Sequence, residues 1–79
     1  MRDRVVSIMA AVFNIQESDI SDSSMIGITK NWDSLKHMNL VLALEDDFGV
    51  SISDEDAVEM MTLPLILNIL SEKCSNKNG

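Results

Sequence analysis

Cysteine, histidine and basic residues are scarce in this sequence, and each scarcity removes a class of function. Cys74 is the only thiol, so no disulfide can form within the chain and a cysteine-based zinc site is unsupported. A reducing, cytoplasmic setting fits that usage. His37 is the only histidine, and no third group completes a nucleophile–base arrangement with it, which argues against hydrolysis. We therefore expect neither a catalytic residue nor a metal site. No apolar run approaches the length of a membrane span, and Arg2, Asp3 and Arg4 precede a polar-interrupted helical pattern, unlike a secretion signal. Only 6 Lys and Arg stand against 13 Asp and Glu, giving a formal charge of -7. That balance repels phosphate backbones and makes nucleic acid an unsuitable partner. It suits either plain solubility or an encounter with basic patches on other proteins.

What remains is helical. At 79 residues there is room for one small domain of marginal stability, with no repeat and no interdomain linker. Strand alternation is confined to Val50 and Ile52. Val5, Val6, Met9, Val12 and Phe13 fall on one face of a first helix running from Arg2 to Phe13. From Asn14 to Asp33 the chain is rich in Ser, Asp and Asn and is broken by Gly27, which reads as a long loop. A connection of this length needs its own apolar anchors, and Ile20, Ile26 and Ile28 are the candidates. Asp33 or Ser34 can cap a second helix that ends after Phe48 at Gly49. Ser53 with Asp56 forms an approximate capping box for a short third helix reaching about Met60. Thr62 and Pro64 suit the start of a fourth, carried by Leu63, Ile66, Leu67 and Leu70 to about Lys73. The spacing thus predicts an all-α four-helix bundle, with three main helices, one short one and a long first loop. We expect a monomeric domain over residues 1–74 and a polar, frayed tail over 75–79.

The second helix has more apolar residues than one buried stripe requires. Leu40, Val41, Leu44 and Phe48 form a core-facing set, whereas Leu35, Met38 and Leu42 form a second stripe rotated away from it. Either neighbouring helices wrap this helix on most sides, or the second stripe is a docking surface with Met38 as an adaptable contact. Ser34 stands at the N-terminal end, where free N–H groups and the helix dipole favour an anion. Asp-Ser before a helix is, on its own, an ordinary cap.

The longer pattern is more specific. Asp33-Ser34-Leu35, followed by Leu40-Val41-Leu42-Ala43-Leu44-Glu45-Asp46-Asp47-Phe48-Gly49, resembles the second-helix signature of acyl carrier proteins, the phosphopantetheine-binding carrier family. Ile52-Ser53-Asp54-Glu55-Asp56-Ala57 is similar to that family's acidic third-helix start, so the resemblance spans nearly the whole chain. It implies that a phosphopantetheinyl transferase takes a 4′-phosphopantetheine arm from coenzyme A and attaches it covalently to Ser34, within the motif Asp33, Ser34 and Leu35. It further implies a carrier with no catalysis of its own, holding acyl groups as thioesters for loading, condensing or acyltransferase enzymes. Partner contacts are expected from Leu35, Lys36, Met38, Leu42, Glu45, Asp46, Asp47, Asp54, Glu55 and Asp56, with Glu59 adding to the acidic set.

Some positions depart from the fatty-acid pattern that this resemblance implies. Lys36 and Asn39 stand where fatty-acid carriers typically place acidic residues, and Trp32 occupies a position commonly held by a small residue. Lys36 and His37 put basic or titratable groups beside Ser34, with His37 expected as a solvated surface residue and Trp32 as a partly buried anchor or a contact for the arm. We therefore expect a specialised carrier of a fatty-acid, polyketide or modified-lipid type of pathway. An aminoacyl or peptidyl carrier stays open, although many of those have Gly-Gly where Asn31-Trp32 stands here. An unmodified helical interaction module is the third possibility.

Overall fold

Caps fix where each helix begins and ends, and the core decides which face it turns inward. The computed structural model describes residues 1–77. Helix α1 (Arg2–Phe13) buries Val5, Met9, Ala10 and Phe13, with Val6 and Val12 half-buried at the margin. It stops at Asn14, whose left-handed φ of 56° lets its N–H return to the Ala10 carbonyl. Helix α2 (Ser34–Phe48) is capped by Asp33, which accepts the Lys36 N–H at 2.9 Å. Gly49, at φ 65°, closes its far end.

Helix α3 (Asp54–Glu59) is capped by Ser53, which accepts the Asp56 N–H at 3.1 Å. The capping box expected from the sequence is only half formed, because the Asp56 carboxylate turns to Lys73 of the fourth helix, at 2.7 Å. Helix α4 (Leu63–Lys77) has Thr62 accepting the Leu65 N–H at 3.3 Å and Pro64 in its first turn. It continues beyond Lys73, since Cys74, Ser75 and Asn76 contain no helix breaker. The frayed tail expected over 75–79 is therefore helical as far as Lys77, and positions 78–79 lie outside the described residues. The architecture is all-α, with four helices and no strand among the described residues. None of these helices is long and apolar enough to cross a membrane.

The core lies between α1, α2 and α4. Leu40 and Leu44 of α2 meet Val5, Met9 and Phe13 of α1 and Leu63, Ile66 and Leu70 of α4, all eight with no exposed surface. Each such side chain contributes roughly 1.5–3 kcal/mol by leaving water. Met9 and Met60 are fully buried, whereas Met38 and Met61 lie on the surface, so only part of the methionine set belongs to the interior.

The long loop is tied down along its length. A short 3₁₀ turn at Glu17–Asp19 opens it, Ile20 is buried, and Met25 pairs with Thr62 in an isolated bridge. The Ile26 N–H donates to the Met61 carbonyl at 2.9 Å and the Gly27 N–H to the Trp32 carbonyl at 2.8 Å. Asn31, at φ 65°, sends its side-chain amide to the Phe13 carbonyl at 2.7 Å, satisfying an orphan acceptor at the end of α1. Ile20 and half-buried Ile26 anchor the loop as expected, but Ile28 does not: it is 78% exposed. The bend around Gly27, at φ 85°, redirects the chain so that Trp32 fills the space instead. Trp32 is 1% exposed and packs on Phe13 with ring centroids 5.2 Å apart.

Trp32→Ala should cost about 3–5 kcal/mol, comparable with the whole stability of so small a domain. Ile28→Ser should stay within about 0.5 kcal/mol of the parent. Urea denaturation followed by far-UV circular dichroism checks both, and equal losses at the two positions would contradict this assignment of anchors.

Candidate functional site at the start of α2

Ser34 is the first residue of α2 and is exposed. Its hydroxyl is not the cap, because Asp33 takes that role through the Lys36 N–H and also accepts the His37 N–H on its carbonyl at 2.8 Å. The N–H groups of Ser34 and Leu35, one residue inside the cap, have no intrahelical acceptor and face the dipole's positive end. An anionic ester on Ser34 Oγ would sit where the helix already favours negative charge.

From Ser34, helical spacing places His37 and Met38 on the same side, and Leu42 one turn beyond Met38. Leu35, Met38 and Leu42 are 70%, 55% and 59% exposed, so neighbouring helices do not wrap this stripe. Beside it lies a groove of about 470 Å³ between α2 and α3, floored by Val41, Ile52 and Ala57 and edged by Met38, Leu42 and Val58. Glu45 and Asp54 stand at its rim. Val58, 71% exposed, was not evident from the sequence. Its only signal is that it is the one bulky apolar residue in the Asp54–Glu59 helix that does not face the core.

The acidic residues separate into two groups. Glu45 uses its carboxylate to accept the Ile52 N–H at 2.8 Å, holding the chain that leads into α3. Asp47 pairs with Arg4 of α1, which also donates to the Asp47 carbonyl and lies over the Phe48 ring at 4.6 Å. Asp56 is bound to Lys73, and the hydrogen bond from that ammonium group holds its carboxyl below the usual carboxylate range. Desolvation opposes the shift, and the Ser53 bond and the Lys73 charge add to it. Asp46, Asp54 and Glu55 are exposed and make no ion pair among the described residues. Three of the six expected acidic contacts therefore have structural work, and three face solvent.

His37 is not the solvated residue expected at a helix start. It is 8% exposed, and Trp32 Nε1–H donates to its Nδ1 at 3.0 Å. Its Nε2 lies 2.7 Å from the Ala57 carbonyl of α3. The burial of Trp32 draws it inward, because an indole N–H in a core needs an acceptor. Trp32 is correspondingly unavailable as a surface contact. Lys36 remains half-buried beside Ser34, and Asn39 is exposed. Among the described residues no group of His, Cys, Asp and Glu could hold a metal ion.

A family model described as a phosphopantetheine attachment site matches residues 3–70. Among solved structures, an acyl carrier protein from Enterococcus faecalis, noted for its high thermal stability, aligns with a TM-score of 0.70 and 31% sequence identity. That alignment covers 92% of this chain and 98% of the other.

The division between cap and hydroxyl gives a direct prediction. Asp33→Ala should destabilise the fold by about 0.5–2 kcal/mol through loss of the cap, whereas Ser34→Ala should be close to neutral. Thermal unfolding of the two variants checks this, and a larger loss for Ser34→Ala would reverse the assignment.

Proposed function

This chain belongs to the phosphopantetheine attachment-site family, and from that premise we propose that Ser34 is the residue that bears the arm. The protein is an acyl carrier protein, a carrier and not a catalyst. The observation that carries the assignment to Ser34 is an exposed hydroxyl at the first turn of α2, released from capping by Asp33 and followed by an uncovered apolar stripe. Ser34 Oγ acts as a nucleophile once: on a phosphopantetheinyl transferase it loses its proton and bonds to the pantetheine-side phosphorus of coenzyme A, the pyrophosphate P–O bond breaks, and adenosine 3′,5′-bisphosphate leaves. The unpaired N–H groups of the first turn favour the resulting negative charge. Once attached, the arm supplies a terminal thiol on which acyl cargo is held as a thioester.

The chain's own residues present that cargo. Leu35, Met38 and Leu42 offer enzymes an apolar contact strip, and Asp46, Asp54 and Glu55 offer carboxylates to basic partner surfaces. Weak contacts of this kind allow release after each step, while tethering keeps the cargo at high effective concentration. Lys36 and Asn39, close to Ser34, remove acidic contacts that fatty-acid enzymes would seek, and Glu45, Asp47 and Asp56 are already engaged within the fold. This supports service in a specialised acyl pathway over bulk fatty-acid elongation.

Incubation with coenzyme A and a promiscuous phosphopantetheinyl transferase should add the mass of one arm to the intact protein and none to Ser34→Ala. An unchanged mass for the parent chain would defeat the attachment assignment and favour an unmodified interaction module. A purified fatty-acid synthase should elongate acyl groups poorly on the loaded protein, and Lys36→Glu with Asn39→Glu should improve it. Efficient extension on the parent chain would sink the specialised reading.

A further inference from the structure

We propose that His37 is a proton-released latch: its neutral ring joins the first loop, α2 and α3, and protonation undoes that joint beside Ser34. The inference goes beyond the carrier reading and does not depend on modification of Ser34.

The two hydrogen bonds of the ring determine its protonation state. Trp32 Nε1–H can only donate, so His37 Nδ1, 3.0 Å away, must be a bare acceptor. The Ala57 carbonyl can only accept, so Nε2, 2.7 Å away, must carry the hydrogen. The native arrangement is thus compatible with a single neutral tautomer. A proton on Nδ1 would place two N–H donors against each other in a site where the histidine is 8% exposed and the tryptophan 1%.

Neither partner can yield cheaply. Trp32 is packed on Phe13, and its ring lies near the plane of the imidazole, centroids 6.1 Å apart and planes 25° apart. The two rings meet at their hydrogen-bonded edges, so the aromatic face that would welcome a cation is turned elsewhere. The ring that can move is the imidazole, because it borders the α2–α3 groove. Glu45 of its own helix, already bonded to the Ile52 N–H, and Asp54 of α3 line the same groove. Asp33 and Lys36 flank the imidazole in the first turn, Asp56 is held by Lys73 of α4, and the loop presents only the Trp32 indole.

Departure of the ring loosens α3. That helix has six residues, none fully buried. It is held to its surroundings by the Ala57 bond, the Glu45 bond to Ile52 and the Asp56–Lys73 pair. Losing the first loosens the α3 wall of the groove that His37 and Met38 line, one turn along α2 from Ser34.

Trp32 is the only tryptophan, so its fluorescence reads the latch directly. On the full chain, emission and amide-exchange protection in α3, corrected for intrinsic rates, should change together as the pH is lowered from about 8. Protection should fall about tenfold. His37→Gln, whose amide can both accept from Trp32 and donate to Ala57 without titrating, should abolish both changes. Trp32→Phe keeps the ring and removes the opposing donor, so α3 protection should become insensitive to pH over the same range. A flat response in the parent chain, a step that survives in His37→Gln, or a fluorescence step without loosening of α3 would each overturn the latch.

Discussion

Burial of one indole organises the region around the attachment serine. Trp32 cannot enter the core without an acceptor for its Nε1–H, and that requirement pulls His37 inward from the first turn of α2. His37 then has its second nitrogen to satisfy, and Ala57 of α3 supplies the carbonyl. A single packing event therefore ties a 20-residue loop, the start of one helix and the middle of another. Asn31 reinforces the same junction by closing the end of α1. The first turn of α2 is thus tied to groups on the loop, α1 and α3.

Features governed by local chemistry could be read from the sequence, and those governed by the path of the loop could not. Asp33, Gly49, Ser53 and Thr62 act within a few residues of themselves, so the helix boundaries were legible from spacing and capping. The second stripe of Leu35, Met38 and Leu42 was legible for the same reason, since a helix has one period, but its exposure was not, because whether neighbouring helices cover it depends on packing. Ile28 and His37 were misread because their environments depend on where Gly27 turns the chain. An isoleucine in a loop resembles an anchor and a histidine at a helix start resembles a surface residue until a neighbouring tryptophan takes the buried place. The resemblance to the acyl carrier family anticipated the fold and the carrier role, and the side-chain geometry shows how this particular loop meets that plan.

The acidic surface shows how composition can mislead about function. A run such as Glu45-Asp46-Asp47 looks uniform, yet consecutive helical residues point about 100° apart and meet different surroundings. Glu45 reaches the Ile52 amide, Asp47 reaches Arg4, and Asp46 faces solvent. Charge that maintains the fold and charge that can greet a partner are interleaved residue by residue. Substitutions across the run would disturb both together.

The ion pairs also shape the molecule's overall polarity. Arg2, Arg4 and Lys73 are each matched to a carboxylate, whereas Lys30 and Lys36, bracketing Ser34 in the chain, have no such match among the described residues. The positive pole of α2 lies at the same place. In a protein with a formal charge of -7, two cations and a positive helix pole thus stand near the serine. An anionic reactant that approaches along this side meets cations and open N–H groups before it meets the acidic run of α2 and α3, so charge of one sign overall need not repel it at the hydroxyl.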